Sequence, residues 1–257
     1  MSPLPALIIV MGTSGCGKST VGLGLAQALA IPFVDGDDLH PAANVVKMSE
    51  GHPLTDEDRI PWLHRIREDA ILLTSSAGLA ALDTPAPPPT DSDAASSAVS
   101  HELSIALARI QPASLQARKE AKEAGHERKR EGVVVACSAL KRQYRELLRG
   151  EACRFVLEDG REISEDKHLD KHIETFFVYL DGSRPLLLNR MQNRPGHFMK
   201  ATMLDSQLAT LERPEEGREP NVVVVRLGQG DGGSEERGKD VVVRETVERV
   251  ERALGKE

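Results

Sequence analysis

Apolar residues come in short unbroken runs, separated by stretches of helical spacing. The run Ala6–Met11 ends at a glycine-rich loop. Such a run suits a strand buried on both faces. Residues 18–30 then place Val21, Leu25 and Leu29 on one helical face. Pro32 stops that helix, and residues 31–34 read as a second short strand. Further strands are predicted at 133–137, 176–180 and 222–227. Helices are predicted over 60–73, 138–149, 184–193, 203–211 and 241–254, with Pro61 in a first turn, where its missing N–H costs little. Strands alternating with helices predict an α/β fold whose parallel sheet is covered on both faces.

Two stretches break this pattern. Residues 74–114 are rich in Ala, Pro, Ser and Asp, most densely at 84–89, and residues 116–131 carry mixed charge. The first is expected to bury too little apolar surface to offset its ordering entropy, and the second to form a solvated helix. Residues 74–131 are therefore expected to be a flexible insertion, and the polar residues 151–174 a second surface insertion. The length of 257 residues fits a single domain, 1–257, carrying both.

Composition narrows the class of partner. Aromatics are only 3%, so the core rests on Leu, Ile, Val and Ala. A net charge of −7 argues against nucleic acid. Cys16, Cys137 and Cys153 form no CxxC pair and no disulfide framework, which suits a reducing compartment. The N-terminal apolar run has no basic residues before it and is too short to span a bilayer. A cytoplasmic protein without membrane association is expected.

The chemistry starts at Gly12-Thr13-Ser14-Gly15-Cys16-Gly17-Lys18-Ser19, which matches GxxxxGKS/T in full, between a predicted strand and a predicted helix. Glycines let successive backbone N–H groups turn toward phosphate oxygens, and the helix adds its N-terminal dipole. Lys18 can reach the β- and γ-phosphates of ATP, and the Ser19 hydroxyl can ligate Mg²⁺. The third strand ends Val135-Ala136-Cys137-Ser138 with no acid. The carboxylate that supports the metal in many ATPases is missing there, so another must serve. A guanine-reading NKxD segment is also missing, which leaves a small-molecule kinase as the better fit.

Asp35, Asp37 and Asp38 follow the second strand, where ligands of parallel sheets bind. One carboxylate can support Mg²⁺ while another takes a proton from an acceptor hydroxyl; the same residues can also cap the next helix. Arg59 lies near a helix start, suited to clamping an anion. Lys141, Arg142, Arg145 and Arg149 share a helical face that is either solvated or anion-binding. Arg190, Arg194 and His197 lie near a helix end, where arginines can fold over ATP. The amide of Gln207 can bind a hydroxyl.

Together these segments resemble the P-loop gluconokinases. The similar stretches are DGDDLHP at 35–41, GxPLxDxDRxPWL at 51–63, CSALKRxYRxxLR at 137–149, and the pattern from His197 to Pro214. The resemblance implies ATP-dependent phosphorylation of D-gluconate at its 6-hydroxyl, with Mg²⁺. It also implies a three-layer α/β/α sandwich like the nucleoside-monophosphate and shikimate kinases, with a lid over 190–203. Gly12 to Ser19, with Thr20, would hold ATP, joined by Arg190 and Arg194 from the lid. Ser19 and Asp35 would hold the metal. Lys18, Asp37 and Arg142 would be catalytic, Asp37 acting on the attacking hydroxyl. Arg59, Lys141, Arg142, Arg145, His197 and Gln207, with Asp37, would contact gluconate. A kinase for another sugar acid stays open, as do a nucleotide-binding regulator and a homodimeric assembly.

Overall fold

The computed structural model describes residues 3–83, 97–126, 130–157, 159–165, 172–193, 201–229 and 235–255. In chain order β1 (Ala6–Met11), α1 (Lys18–Leu29), β2 (Phe33–Asp35) and a 3-10 turn (Gly36–Leu39) lead into α2 (Ala42–Ser49) and α3 (Asp56–Thr74). Helices α4 (Ser76–Asp83), α5 (Ser97–Ala108) and α6 (Pro112–Glu123) precede β3 (Gly132–Ala136) and α7 (Arg142–Arg149). A hairpin, β4 (Cys153–Val156) with β5 (Glu162–Glu165), is followed by β6 (Glu174–Asp181), α8 (Arg184–Gln192) and α9 (Ala201–Thr210). Then come β7 (Val222–Arg226), a short hairpin of β8 (Gly228–Gln229) and β9 (Glu235–Glu236), and α10 (Lys239–Leu254).

The main sheet runs β2-β3-β1-β6-β7, parallel throughout. β1 is central because both its faces are apolar. Leu7, Ile9 and Met11 point into one core, with Leu63, Ile66 and Leu148. Ala6, Ile8 and Val10 point into the other, with Val21, Leu25 and Val250. Side chains alternate across a strand, so one continuous apolar run feeds both cores and fixes the three layers. Every sheet strand ends at the same edge, and the phosphate loop leaves that edge from β1.

Part of the first insertion is packed into the fold. Leu103, Ala106 and Ile110 join the core on the α3 side. Ile110 bridges Val34, Gln111 N–H donates to the Phe33 carbonyl at 2.8 Å, and the Ser114 hydroxyl accepts from Phe33 N–H at 3.0 Å. The segment thus covers the open edge of β2, whose backbone groups need partners. Its apolar residues sit at helical spacing but were diluted by small and polar neighbours in the sequence. The Pro-rich part, 84–96, lies outside the described residues. In the second insertion Phe155 is fully buried and stacks on Tyr144, with ring centroids 6.2 Å apart.

Helix α3 starts earlier than predicted. Thr55 caps it, its hydroxyl accepting from Asp58 N–H at 3.3 Å while the Asp58 carboxylate accepts from Thr55 N–H at 2.7 Å. This capping box overrides Pro61, which lies inside the helix and forfeits one backbone bond. Helix α7 starts later than predicted, because Ala139 is left-handed at φ 42° and residues 138–141 stay a loop.

Candidate active site

The phosphate loop is held by close contacts that only glycine permits. Gly12 has φ 140°, and a Cβ there would lie 2.9 Å from Cys16 Sγ and 3.1 Å from the Leu180 carbonyl oxygen. Gly17, at φ 93°, precedes α1 and brings no side-chain cap. The first amides of α1 are therefore left for an anion, in the field of the helix dipole. Lys18 Nζ donates to the carbonyls of Gly12 at 3.1 Å and Thr13 at 3.2 Å, which holds the ammonium along the loop.

The Ser19 hydroxyl donates to Asp35 Oδ2 at 2.6 Å. The other Asp35 oxygen accepts from Asp37 N–H at 3.2 Å, capping the 3-10 turn. The acidic segment therefore caps a turn and also faces the phosphate loop. Asp37 is exposed to the cleft. The cleft, of about 530 Å³, runs from the loop past Asp35 and Asp37 to Asn189, Arg190 and Val242. Arg190 Nη1 donates to the Cys16 carbonyl at 3.1 Å, and its Nε to Glu236 at 2.9 Å, so a guanidinium already lies against the loop. Burial pushes the Cys137 thiol up to about 12, with Lys18, Asp37 and Asp35 all close enough to act on it.

Beside this cleft the N-termini of α3 and α7 meet. Lys141 Nζ donates to both Asp56 oxygens, at 2.9 and 2.7 Å, and Tyr144 donates to Asp56. Burial would raise the Asp56 carboxyl, but these two donors outweigh it and hold it low. Arg59 Nη1 donates to the Tyr144 hydroxyl at 3.4 Å, with its guanidinium carbon 5.8 Å from the ring centroid. His40 stacks on Trp62 at 4.1 Å between centroids, and Trp62 Nε1 donates to the Gly36 carbonyl at 2.7 Å. Burial, then the Arg59 charge, lowers His40 to about 4, so its ring is neutral near pH 7. Lys141 has a carboxylate partner, as does Lys47 through Asp58. Among the described residues around this corner, Arg59 is a guanidinium whose side-chain partner is the neutral Tyr144 hydroxyl rather than a carboxylate.

Known proteins are similar to this chain over most of its length. The shikimate kinase family pattern matches residues 14–59, the loop through Arg59. A gluconokinase from Gluconobacter oxydans is 37% identical over 243 residues, spanning 95% of this chain and 90% of that protein. The chain belongs to the gluconokinase family. The thermosensitive gluconokinase of Escherichia coli is 32% identical over 80% of this chain and 72% of that protein. A gluconokinase structure from Sinorhizobium meliloti superposes with a TM-score of 0.60 at 32% identity, covering 98% of this chain and 94% of that one. As a gluconokinase-family member the chain is a carbohydrate kinase with the P-loop α/β/α fold.

Within this gluconokinase-family site, the expected residues Ser14 to Thr20, with Asp35, Asp37 and Arg190, line one cleft, while Gly12 and Thr13 precede that lining in the chain. Arg59 and Lys141 gather at the adjacent corner. Arg142 is exposed on α7 and pairs with Glu146 at 2.9 Å. Two expectations need correction. Arg145 is 1% exposed and grips both oxygens of Glu219, at 2.8 and 2.6 Å, with Arg149 also on Glu219. Arg145 and Arg149 are turned inward to fasten the chain ahead of β7, so the face read as basic is split. Gln207 is the second. Its amide oxygen accepts from Ser14 N–H at 2.7 Å, on the phosphate loop rather than at the α3–α7 corner. Arg194 and His197 lie outside the described residues. Sequence reasoning gave no role to His40, Asp56 or Tyr144. Spacing carries no signal for them, because Asp56 and Tyr144 sit at two separate helix starts and His40 follows the 3-10 turn. Among the described residues no helix is long and apolar enough to cross a membrane.

Proposed function

We propose that the chain transfers the γ-phosphoryl group of ATP to the 6-hydroxyl of D-gluconate, giving 6-phospho-D-gluconate and ADP. The observation that carries this reading is that Asp37 lies on the phosphate-loop cleft while Arg59, hydrogen-bonded among the described residues to the Tyr144 hydroxyl, stands at the adjoining corner. One end thus suits a hydroxyl nucleophile and the other a single carboxylate. Membership of the gluconokinase family supports the same acceptor.

The amides of the loop and Lys18 grip the β- and γ-phosphates. Asp37 orients the acceptor hydroxyl and takes its proton as the oxygen bonds to phosphorus and the bond to ADP breaks. Arg59 binds the gluconate carboxylate, with Lys141 and Arg142 beside it, and Arg190 offsets charge on the phosphates. Ser19 and Asp35 offer converging hard oxygen donors, which fit Mg²⁺. Among the described residues no group of three or more His, Cys, Asp or Glu side chains is placed to hold a metal. When bound, Mg²⁺ supplies positive charge to the β- and γ-phosphates.

Purified protein with ATP and Mg²⁺ is expected to release ADP with gluconate and form 6-phosphogluconate. Shikimate and nucleoside monophosphates should be almost inert. No ADP release with gluconate would overturn the reading, and faster turnover of another sugar acid would transfer it to that acid.

A further inference from the structure

The residues from α9 to Arg213 form a strap across the carboxyl edge of the sheet, touching it at three places. At the phosphate loop, Gln207 accepts from Ser14 N–H at 2.7 Å. At the loop before α7, Glu212 N–H donates to the Leu140 carbonyl at 2.9 Å, while the Glu212 carboxylate accepts from Arg142 N–H at 2.7 Å. At the end of β6, Arg213 pairs with Asp181 at 3.5 Å. The second contact answers a local need. Lys141 is the N-cap of α7 and gives no side-chain cap, so a first-turn amide would lack a protein partner. A carboxylate from 70 residues away supplies it, with the sign the helix dipole favours.

We infer that Gln207 and Glu212 are positioning residues that couple occupancy of the phosphate loop to the acceptor corner. Gln207 reads the position of the loop, and Glu212 sets the first turn of α7, from which Lys141 and Arg142 project. Only a few residues separate the two on the strap, five positions in sequence. A shift of the loop on seating a triphosphate therefore reaches the acceptor cations along one short path. The inference rests on the proposed function, because the acceptor must be bound at the α3–α7 corner.

The test is calorimetric titration of gluconate into the full chain, with and without the ATP analogue AMPPNP and Mg²⁺. In the wild type the nucleotide should tighten gluconate by a factor of about 5–10. Gln207→Leu and Glu212→Ala should each reduce that factor to within about twofold of one. Glu212→Gln keeps an acceptor for the Arg142 amide and should retain the coupling. The double variant Gln207→Leu/Glu212→Ala should fall no lower than either single, because the two act in series. A merely structural role would lower Tm and leave the coupling factor unchanged. Wild-type coupling in both Gln207→Leu and Glu212→Ala overturns the inference, as does a wild-type factor of one or a Glu212→Gln as damaged as Glu212→Ala. Should Glu212→Ala fail to fold, Gln207→Leu and Glu212→Gln still decide. Absence of gluconate binding to the wild type overturns the substrate reading and this inference with it, whereas normal turnover with unaltered coupling overturns this inference alone.

Discussion

In the proposed transfer Lys18 acts on the donor and Asp37 on the acceptor, and single substitutions should separate them. Lys18 lies along the loop where the phosphates sit. Lys18→Ala should lower kcat by about 10²–10³-fold and weaken ATP binding, because a charge aimed at the transferring phosphoryl group is lost. Asp37→Asn should lower kcat by about 10²-fold or more with ATP affinity within about twofold, since only the proton acceptor changes. Single-turnover kinetics with separate nucleotide titrations check both; full activity in Asp37→Asn would remove it from the mechanism. His40 makes a prediction about pH. The folded state keeps it neutral, lowered to about 4 by burial and then by Arg59. An unfolded histidine titrates near 6.5, at about which pH and above its full contribution to stability is present. As pH falls from there toward 4, the unfolded chain takes the proton and the folded chain resists it, so stability is lost on the order of 2 kcal/mol. His40→Phe keeps the ring stacked on Trp62 and should flatten this part of the acid limb of Tm against pH. An unchanged limb would count against the buried neutral histidine.

The elements show what a sequence can and cannot reveal. The strands of the main sheet and the phosphate loop were legible because their signals are local: a continuous apolar run, a glycine pattern and the helix that follows. The capping box Thr55–Asp58 was also written in the chain, yet Pro61 drew the predicted start of α3 too late. Helix α5 was hidden by composition, since Leu103, Ala106 and Ile110 count little among Ala, Ser and Pro until the bare edge of β2 gives them a place. The basic face of α7 shows the opposite limit. Periodicity put Lys141, Arg142, Arg145 and Arg149 together, but Glu219, far along the chain, claims two of them. Burial alone would raise the Glu219 carboxyl, and the hydrogen bonds and charge of Arg145, helped by Arg149, hold it down. Arg145→Lys should therefore act on stability and not on the acceptor. Losing the two-pronged contact should cost about 1–3 kcal/mol, seen as a lower Tm, with KM for gluconate unchanged well below the transition. A raised KM at unchanged Tm would return Arg145 to the substrate site.

At the scale of the whole molecule, the two cores share one sheet, and β1 lies between them. The phosphate loop leaves β1 on the α1 side, while the proposed acceptor corner is built from α3 and α7 on the other side. A ligand at the loop therefore has two routes across the molecule: through the sheet, where Gly12 N–H donates to the Ser138 carbonyl at 3.3 Å, and along the strap from α9. Both routes end at the loop before α7. Ligand binding stabilises whatever must unfold for it to dissociate, so hydrogen exchange can map the extent of that unit. With AMPPNP and Mg²⁺, amides of the loop and the first turn of α1 should exchange more slowly by direct contact. The amides of residues 142–145 should slow as well, although none lies on the nucleotide cleft. Amides of α2 and of the β4–β5 hairpin, which neither route reaches, should not change. Protection confined to the loop, α1 and α8 would mean that the nucleotide and acceptor halves open independently, and that the shared sheet holds the site together without carrying information across it.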